Sequence, residues 1–305
     1  MGNSISILVI TFNRPQDLLE LLYSIKAQRN LESLKETLIL DNASTTSYQS
    51  VLDFIDAHNE LKINFIRKEE NLGVARGRNF LMEQAKGDLL LVLDDDVLFC
   101  TENDFEKLST VLEKPFFKKA NTAIVTPKII YAESKQIQLT AFPHKKIKKY
   151  SSQAQFLTSY YTGCAHLMKK EILNTTGFYP TDFFYGMEEY DLSYRIINAG
   201  YSIGYDNEVT LQHKESPFGR QANYKKLKMQ WVNKSKVSWR YLPSIYFKTT
   251  AIAWSFEYLL KAKGHLGTYF SAWKETFQIP VKEKKNKISR DALLYLKKVE
   301  ARLWY

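Results

Sequence analysis

Two cysteines, Cys100 and Cys164, are all that 305 residues contain, and neither has a Cys-x-x-Cys partner. So sparse a supply excludes a disulfide framework and points to a reducing, cytoplasmic compartment. Long apolar runs are missing too. No stretch of about 18 uncharged apolar residues occurs, which removes a hydrophobic membrane-spanning helix. The opening residues pass straight into the strand-length run at residues 4–10, with no basic flank or cleavage site, unlike a secretory signal. No Gly-x-Gly-x-x-Gly follows that run, so a dinucleotide oxidoreductase is a poor reading. There is no internal repeat, and the only biased tract is the lysine-rich run at 282–287.

What is present describes a globular chain. Hydrophobic residues make up 45% and charged residues 25%, enough for a buried core in one large domain or two modest ones. The net charge of +10 is unevenly placed. From Lys214 onward there are 20 Lys/Arg against 6 Asp/Glu, whereas residues 1–213 hold 23 against 27. The basic tail predicts an anionic partner surface, and the front a separate task.

Strand-like and helix-like segments alternate through the first hundred residues. Residues 5–10, 38–40, 63–66 and 89–93 are apolar and strand-length. Between them, Leu18, Leu21, Leu22 and Ile25, then Val51, Leu52, Phe54 and Ile55, recur at helical spacing. Asn13 and Pro15 suit a helix start, and residues 74–86 read as a helix ended by Gly87. This order predicts an α/β fold with a Rossmann-like, mainly parallel sheet flanked by helices. Further on, 123–126 and 163–168 read as strands, 139–152 as a lysine-rich loop, and 188–198 as a helix closed by Gly200. From Tyr224 the pattern is helical, aromatic and basic, with expected breaks at Pro243, Gly264, Gly267 and Pro280.

The run Leu89-Leu90-Leu91-Val92-Leu93 ends in Asp94, Asp95 and Asp96. A strand apolar on both faces lies inside a covered parallel sheet, and ligands gather at the carboxyl ends of such strands. Three adjacent carboxylates repel one another unless a cation lies between them, and hard oxygen ligands suit Mg²⁺ or Mn²⁺. A solvated acidic turn capping the next helix is the plainer alternative.

Five segments then occur in one order: Ile10-Thr11-Phe12-Asn13-Arg14, Leu40-Asp41-Asn42-Ala43-Ser44, Asn71 to Asn79, Leu93-Asp94-Asp95-Asp96, and Gly186 to Arg195. Over residues 4–215 this series resembles the family-2 glycosyltransferases, inverting nucleotide-sugar enzymes of GT-A fold, and most of all bacterial rhamnosyl-type enzymes of cell-surface polysaccharide synthesis. The resemblance implies a nucleotide-sugar-binding half at 1–100, an acceptor-binding half at 101–215, and a basic aromatic helical extension at 216–305. It makes Asp41 the reader of a uracil or thymine base, with Thr11, Asn13, Arg14 and Asn42 lining the nucleoside pocket. Arg78 would lie beside the nucleotide sugar, whereas Arg76 would be a surface charge. Asp94 would lie near the ribose, with Asp95 in the middle of the motif pointing away. Asp96 would hold Mn²⁺ or Mg²⁺, its shell completed by His213. Gly163 would allow close approach to the donor sugar. In the acceptor motif Glu189 stands where the family has an Asp, and it is the expected catalytic base, with Glu188 and Asp191 as alternatives. An acidic first turn complementing the helix dipole also explains these three residues.

The implied partners are a UDP- or dTDP-sugar donor and a glycan or lipid-linked glycan acceptor. No Gln-x-x-Arg-Trp processive signature occurs, so one sugar per encounter is expected. Trp231, Trp239, Trp254, Phe256, Phe270 and Trp273 are interspersed with lysines in the tail. Such helices can lie on an anionic membrane surface, which predicts peripheral attachment to the inner face of the cell membrane. A protein that uses the tail to bind nucleic acid or membrane, with no transferase activity, is the alternative. It leaves Asp41, Arg78 and the triplet without a task, and no nucleic acid is expected as a partner.

Overall fold

The computed structural model describes residues 3–215 and 222–304. The expected junction between the acceptor half and the helical extension, at 216–221, lies outside the described residues. The first half alternates strand and helix as its periodicity dictates: β1 (Ile5–Thr11), α1 (Pro15–Lys26), β2 (Leu34–Asp41), α2 (Gln49–Ala57), β3 (Ile63–Arg67), α3 (Gly73–Gln84) and β4 (Leu89–Asp94). Then come β5 (Val97–Phe99), α4 (Asp104–Thr110), α5 (Pro115–Lys119), β6 (Thr122–Tyr131), α6 (Ile147–Tyr150), β7 (Gln155–Thr158), β8 (Ala165–Lys169), α7 (Leu173–Thr176), α8 (Glu188–Asn198) and β9 (Ser202–His213). The extension folds into α9 (Asn223–Tyr241), α10 (Ser244–Lys261), α11 (Leu266–Lys282) and α12 (Arg290–Lys298).

All the strands form one sheet, ordered β3-β2-β1-β4-β8-β6-β9-β5, with β7 on β9. The fold is α/β as expected, and the sheet is mixed, with most of its register parallel. Strands β1 to β4 pair in parallel, as do β6 and β9, while β8 runs antiparallel to both β4 and β6, and β5 and β7 antiparallel to β9. The reason is that after β4 the chain no longer returns through one crossover helix per strand, so direction is free to reverse.

Both faces of the front sheet are buried, which explains its unbroken apolar strands. Ile5, Ile7 and Val9 pack with Leu18, Leu21, Leu22 and Val51 on one side. Leu8, Leu38 and Leu40 pack with Leu81, Met82 and Leu192 on the other. Each fully buried Leu or Ile contributes roughly 1.5–3 kcal/mol. A Cβ at Gly77 would lie 2.9 Å from Ile10 and 3.2 Å from Leu40; its absence lets α3 sit close on the sheet. Pro15 starts α1, but Asn13 does not cap it: its Oδ1 accepts from the Thr45 and Thr46 N–H groups instead. Gly267 and Pro280 lie inside α11 rather than breaking it. Pro280 falls in the last turn: it cannot donate to the carbonyl four residues earlier, and the helix ends two residues later.

Candidate active site

Register brings the motif residues to one edge of the sheet. Thr11 pairs with Asp41 and Ile10 with Asp94, so the carboxyl ends of β1, β2 and β4 lie level. Asp95 and Asp96 form the tight turn into β5, and both are buried. Asp96 faces His213 at the end of β9, with Nε2 3.1 Å from Oδ1. Ligand atoms of Asp94, Asp96 and His213 all lie within 4.8 Å of one another. Two carboxylates and an imidazole at that spacing fit a Mn²⁺- or Mg²⁺-sized ion. His213 Nδ1 lies 2.9 Å from the side-chain Oε1 of Gln138, an acceptor, which leaves Nε2 as the ligating nitrogen. Burial opposes charge on His213, but hydrogen bonding to Asp96 pushes its pKa up to about 11. Asp94 thus groups with Asp96 and His213.

Asp95 is neither remote nor idle. Arg14 Nη1 donates to its Oδ1 at 2.8 Å and lies 3.4 Å from Asp96. Burial, helped by repulsion from Asp96 and opposed by Arg14, pushes Asp95 up to about 7. Arg14 therefore braces the turn from inside. Thr11 and Asn42 are also scaffold: Thr11 Oγ1 bonds the Tyr48 hydroxyl at 2.7 Å, and Asn42 holds Asn71 and the Leu72 N–H. Asp41 differs. It is fully buried; its Oδ1 accepts from the Ser44 N–H, but its Oδ2 has no hydrogen-bond donor, Arg67 remaining 3.6 Å away.

Arg78 is the hub. Its Nη2 donates to Asp94 at 2.9 Å and to the Gly163 carbonyl at 2.7 Å, while Nη1 donates to Glu189 at 2.8 Å. Burial opposes its charge, but Asp94 and Glu189 raise its pKa well above the ordinary value. Arg76 is exposed, as expected. A Cβ on Gly163 would lie 2.2 Å from Glu189 Oε1, so the close approach that this glycine permits is that of the Glu189 carboxylate.

The three acidic residues at the start of α8 part company. Asp191 lines neither cavity: both its oxygens are taken, by Arg195, Arg240 and the Tyr241 hydroxyl, and it ties α9 to α8. Glu188 is 3% exposed, and its Oε2 has no hydrogen-bond partner. Burial, then repulsion from Glu189, pushes it up to about 8. Glu189 keeps one oxygen on Arg78, and among the described residues no donor reaches the other.

These residues separate two adjoining cavities. The first, about 420 Å³, is lined by Arg14, Asn42, Asp94, Asp95, Asp96 and His213. The second, about 700 Å³, is lined by Glu188, Glu189, Tyr190, Lys234, Trp254 and Arg302, among others. Arg78 and Asp94 belong to both.

The glycosyl transferase family 2 model matches residues 6–177, more than half of the chain. The chain belongs to that family. An uncharacterised protein of Haemophilus influenzae is 31% identical over 182 residues, 58% of this chain and 94% of the relative. The uncharacterised glycosyltransferase YwdF of Bacillus subtilis is 34% identical over 122 residues, 40% of this chain and 43% of the relative. Among solved structures, GalNAc-T7 with UDP, GalNAc and Mn²⁺ superposes with a TM-score of 0.67 at 15% identity, over 99% of this chain and 58% of that one. The mannosyltransferase PcManGT of Pyrobaculum calidifontis, with GDP-Man and Mn²⁺, gives 0.61 at 17% identity, over 98% and 80%. At such identities the likeness is one of GT-A fold.

The family 2 match ends before Glu188, and several site residues beyond its motifs carried no sequence signal. Gln138 reaches His213 from 75 positions away. His166 holds the Thr162 carbonyl at 2.9 Å and so braces the Gly163 loop. Lys234 is 7% exposed, with Nζ 3.3 Å from the Tyr190 ring centre.

Proposed function

We propose that the protein transfers a hexosyl or deoxyhexosyl unit from a UDP- or dTDP-sugar to a hydroxyl of a glycan or lipid-linked glycan, with inversion, in building bacterial cell-surface polysaccharide. The observation that carries this reading is the Arg78 bridge, which joins Asp94 in the first cavity to Glu189 in the second. The first cavity is the donor site and the second the acceptor site. The buried Asp41 Oδ2, which lacks a donor, supports a role for Asp41 as acceptor of an imide N–H from uracil or thymine. Asp94, Asp96 and His213 would hold the Mn²⁺ or Mg²⁺, which when bound supplies Lewis-acid stabilisation to the departing diphosphate. Arg78 adds a permanent positive charge beside the donor. Glu189 takes the proton of the acceptor hydroxyl as its oxygen bonds to the anomeric carbon and the bond to the diphosphate breaks. Glu188, raised to about 8, already holds a proton at neutral pH and is not the base. Asp191 is the anchor of α9.

The test is thermal unfolding with UDP, dTDP and NAD, with and without Mn²⁺. Metal-dependent stabilisation by UDP or dTDP is expected, about 2.7 kcal/mol at a hundredfold excess over Kd. No shift with either nucleotide, together with tight salt-dependent DNA binding, would replace this reading by the nucleic-acid one.

A cytoplasmic protein seated peripherally on the inner face of the membrane completes the proposal. Ile252, Phe256 and Leu260 form an exposed stripe on α10, and Phe270, Phe277 and Val281 one on α11. Exposed lysines, among them Lys248, Lys261 and Lys274, lie along the same helices. No helix among the described residues is long and apolar enough to cross a bilayer, so the stripes suit an interfacial position. Phe256→Glu with Phe270→Glu should abolish co-sedimentation with anionic vesicles; retention would refute membrane seating.

A further inference from the structure

The turn that launches α8 has an unusual backbone and is held from another helix. Gly186 and Met187 are both left-handed, with φ +80° and +73°, and Met187 is the N-cap of α8. A residue with a Cβ keeps that conformation only where its surroundings impose it. The N-cap side chain bonds nothing in the first turn, so the usual device for starting a helix is missing. Two neighbours supply the constraint. The Phe184 carbonyl accepts from the Val74 N–H at 3.0 Å, which ties the approach to the start of α3. From the other side, the buried Asn233 of α9 donates through Nδ2 to the Gly186 carbonyl at 2.9 Å and to the Tyr185 carbonyl at 3.2 Å. Those carbonyls belong to the rigid peptide planes on either side of Gly186. Holding both planes fixes the rotation at Gly186 and the direction in which Met187 and Glu188 leave it. Gln230, on the same face of α9, packs against this turn: a Cβ on Gly186 would lie 3.0 Å from its Cγ.

We propose that Asn233 is a positioning residue for the catalytic base: it holds the Gly186-Met187 turn so that Glu189 meets Arg78. This rests on the transferase reading, in which Glu189 takes the acceptor proton, and it adds a residue of α9 to that machinery. Arg78 stands on α3 and Glu189 on α8, and their 2.8 Å contact is closed across the same turn that Val74 and Asn233 hold. Asp182 and Asp191, on either side of the turn, are also anchored to α9, through Lys236 and Arg240. Those ion pairs hold the flanks, whereas Asn233 bonds the turn itself. A side-chain amide offers two N–H groups, and here they serve two successive carbonyls. A side chain of equal volume without a donor fills the space and leaves the turn untied.

Asn233→Leu is that substitution, and the full-length variant is compared with the wild type in two measurements. In amide hydrogen exchange, peptides covering residues 184–190 should exchange about tenfold faster in the variant, with β1 and β4 unchanged. Unchanged exchange at 184–190 overturns the proposal. In the second, release of UDP or dTDP from UDP-glucose, UDP-N-acetylglucosamine and dTDP-rhamnose is followed with Mn²⁺ and water as the acceptor. Asn233→Leu should lower kcat about tenfold or more, while KM for the nucleotide sugar and the thermal shift with UDP or dTDP stay as they are. Introduced into Glu189→Gln, the same substitution should cause no further loss, because a residue that acts through the base has nothing left to position. Equal loss in both backgrounds, or a wild-type kcat, overturns the positioning role. Should Asn233→Leu fail to fold, Asn233→Ala, which needs less space, carries the same measurements. If the wild type shows neither nucleotide release nor a metal-dependent shift, the transferase reading falls, and hydrogen exchange alone decides whether Asn233 holds the turn.

Discussion

The two cavities are built by opposite means. The first cavity carries the aspartates of neighbouring strand ends, Asp94 on β4 with Asp95 and Asp96 in the turn after it, and His213 closes it from β9. The second is walled by aromatic residues and by charges of both signs, and its walls come from the α6 approach, the α8 start, α9, α10 and the segment after α12. Sheet register holds the first rigidly, whereas helix packing around the buried Trp231 shapes the second. The family 2 match spans most of the first and stops before most of the second. A sheet edge shared by the family can therefore stay constant while the helices packed beside it vary.

The sharpest way to break this division is to remove a charge from the donor side. Asp96→Asn should lower transfer by ~10³-fold or more, because a Lewis acid at the leaving group contributes several kcal/mol. It should also abolish the Mn²⁺-dependent thermal shift with UDP or dTDP; an unchanged shift would move the metal elsewhere. On the other side of Arg78, Glu189→Gln should lower transfer by ~10²–10⁴-fold yet leave that thermal shift intact. Retained turnover would assign the base to Glu188.

How far each cavity was legible in the sequence follows from the same division. Asp41, Arg78, Asp94 to Asp96 and Glu188-Glu189 lie in short motifs at strand ends or helix starts, where local pattern and position coincide. Helix α8 runs from Glu188 to Asn198 as its periodicity predicts. The reversal at β8 was not legible, because an apolar run carries no direction, and β5 and β7, of three and four residues, are too short for a periodic signal. Asp191 read as a site residue because its motif position does not reveal that Arg240 and Tyr241, some fifty positions later, fold back onto it. That Lys145, Lys234 and Arg302 line one cavity is illegible for the same reason, since α9 and the segment after α12 must pack first.

A smaller effect is expected where the two cavities touch. Gly163→Ala puts a methyl group 2.2 Å from Glu189 Oε1 and 3.3 Å from Arg78 Nη1. The carboxylate must move, and misplacing a reacting group by about an ångström costs ~10²-fold in rate. Transfer should fall to that extent, while the Mn²⁺-dependent thermal shift with UDP or dTDP should change little. An unaffected rate would mean that the Arg78–Glu189 pair does not position the base.

The smallest effect concerns Glu188, and it is read in stability rather than turnover. Its folded pKa is raised from 4.5 to about 8 by burial and by Glu189. A carboxyl raised in this way holds its proton more tightly in the folded state than in the unfolded one. The stability it contributes is complete below about pH 4.5 and is lost as the pH rises through about 8. Each pKa unit corresponds to about 1.4 kcal/mol, so the change amounts to a few kcal/mol at most. Glu188→Gln keeps the shape and the neutral hydrogen-bonding character but cannot titrate. Between pH 5 and 8 the wild type should therefore lose several degrees of Tm relative to the variant, and the two curves should converge at the acid end. Parallel curves would mean that Glu188 is ionised throughout, which would return it to contention with Glu189 as the proton acceptor and blur the division between a charged base and its neutral neighbour.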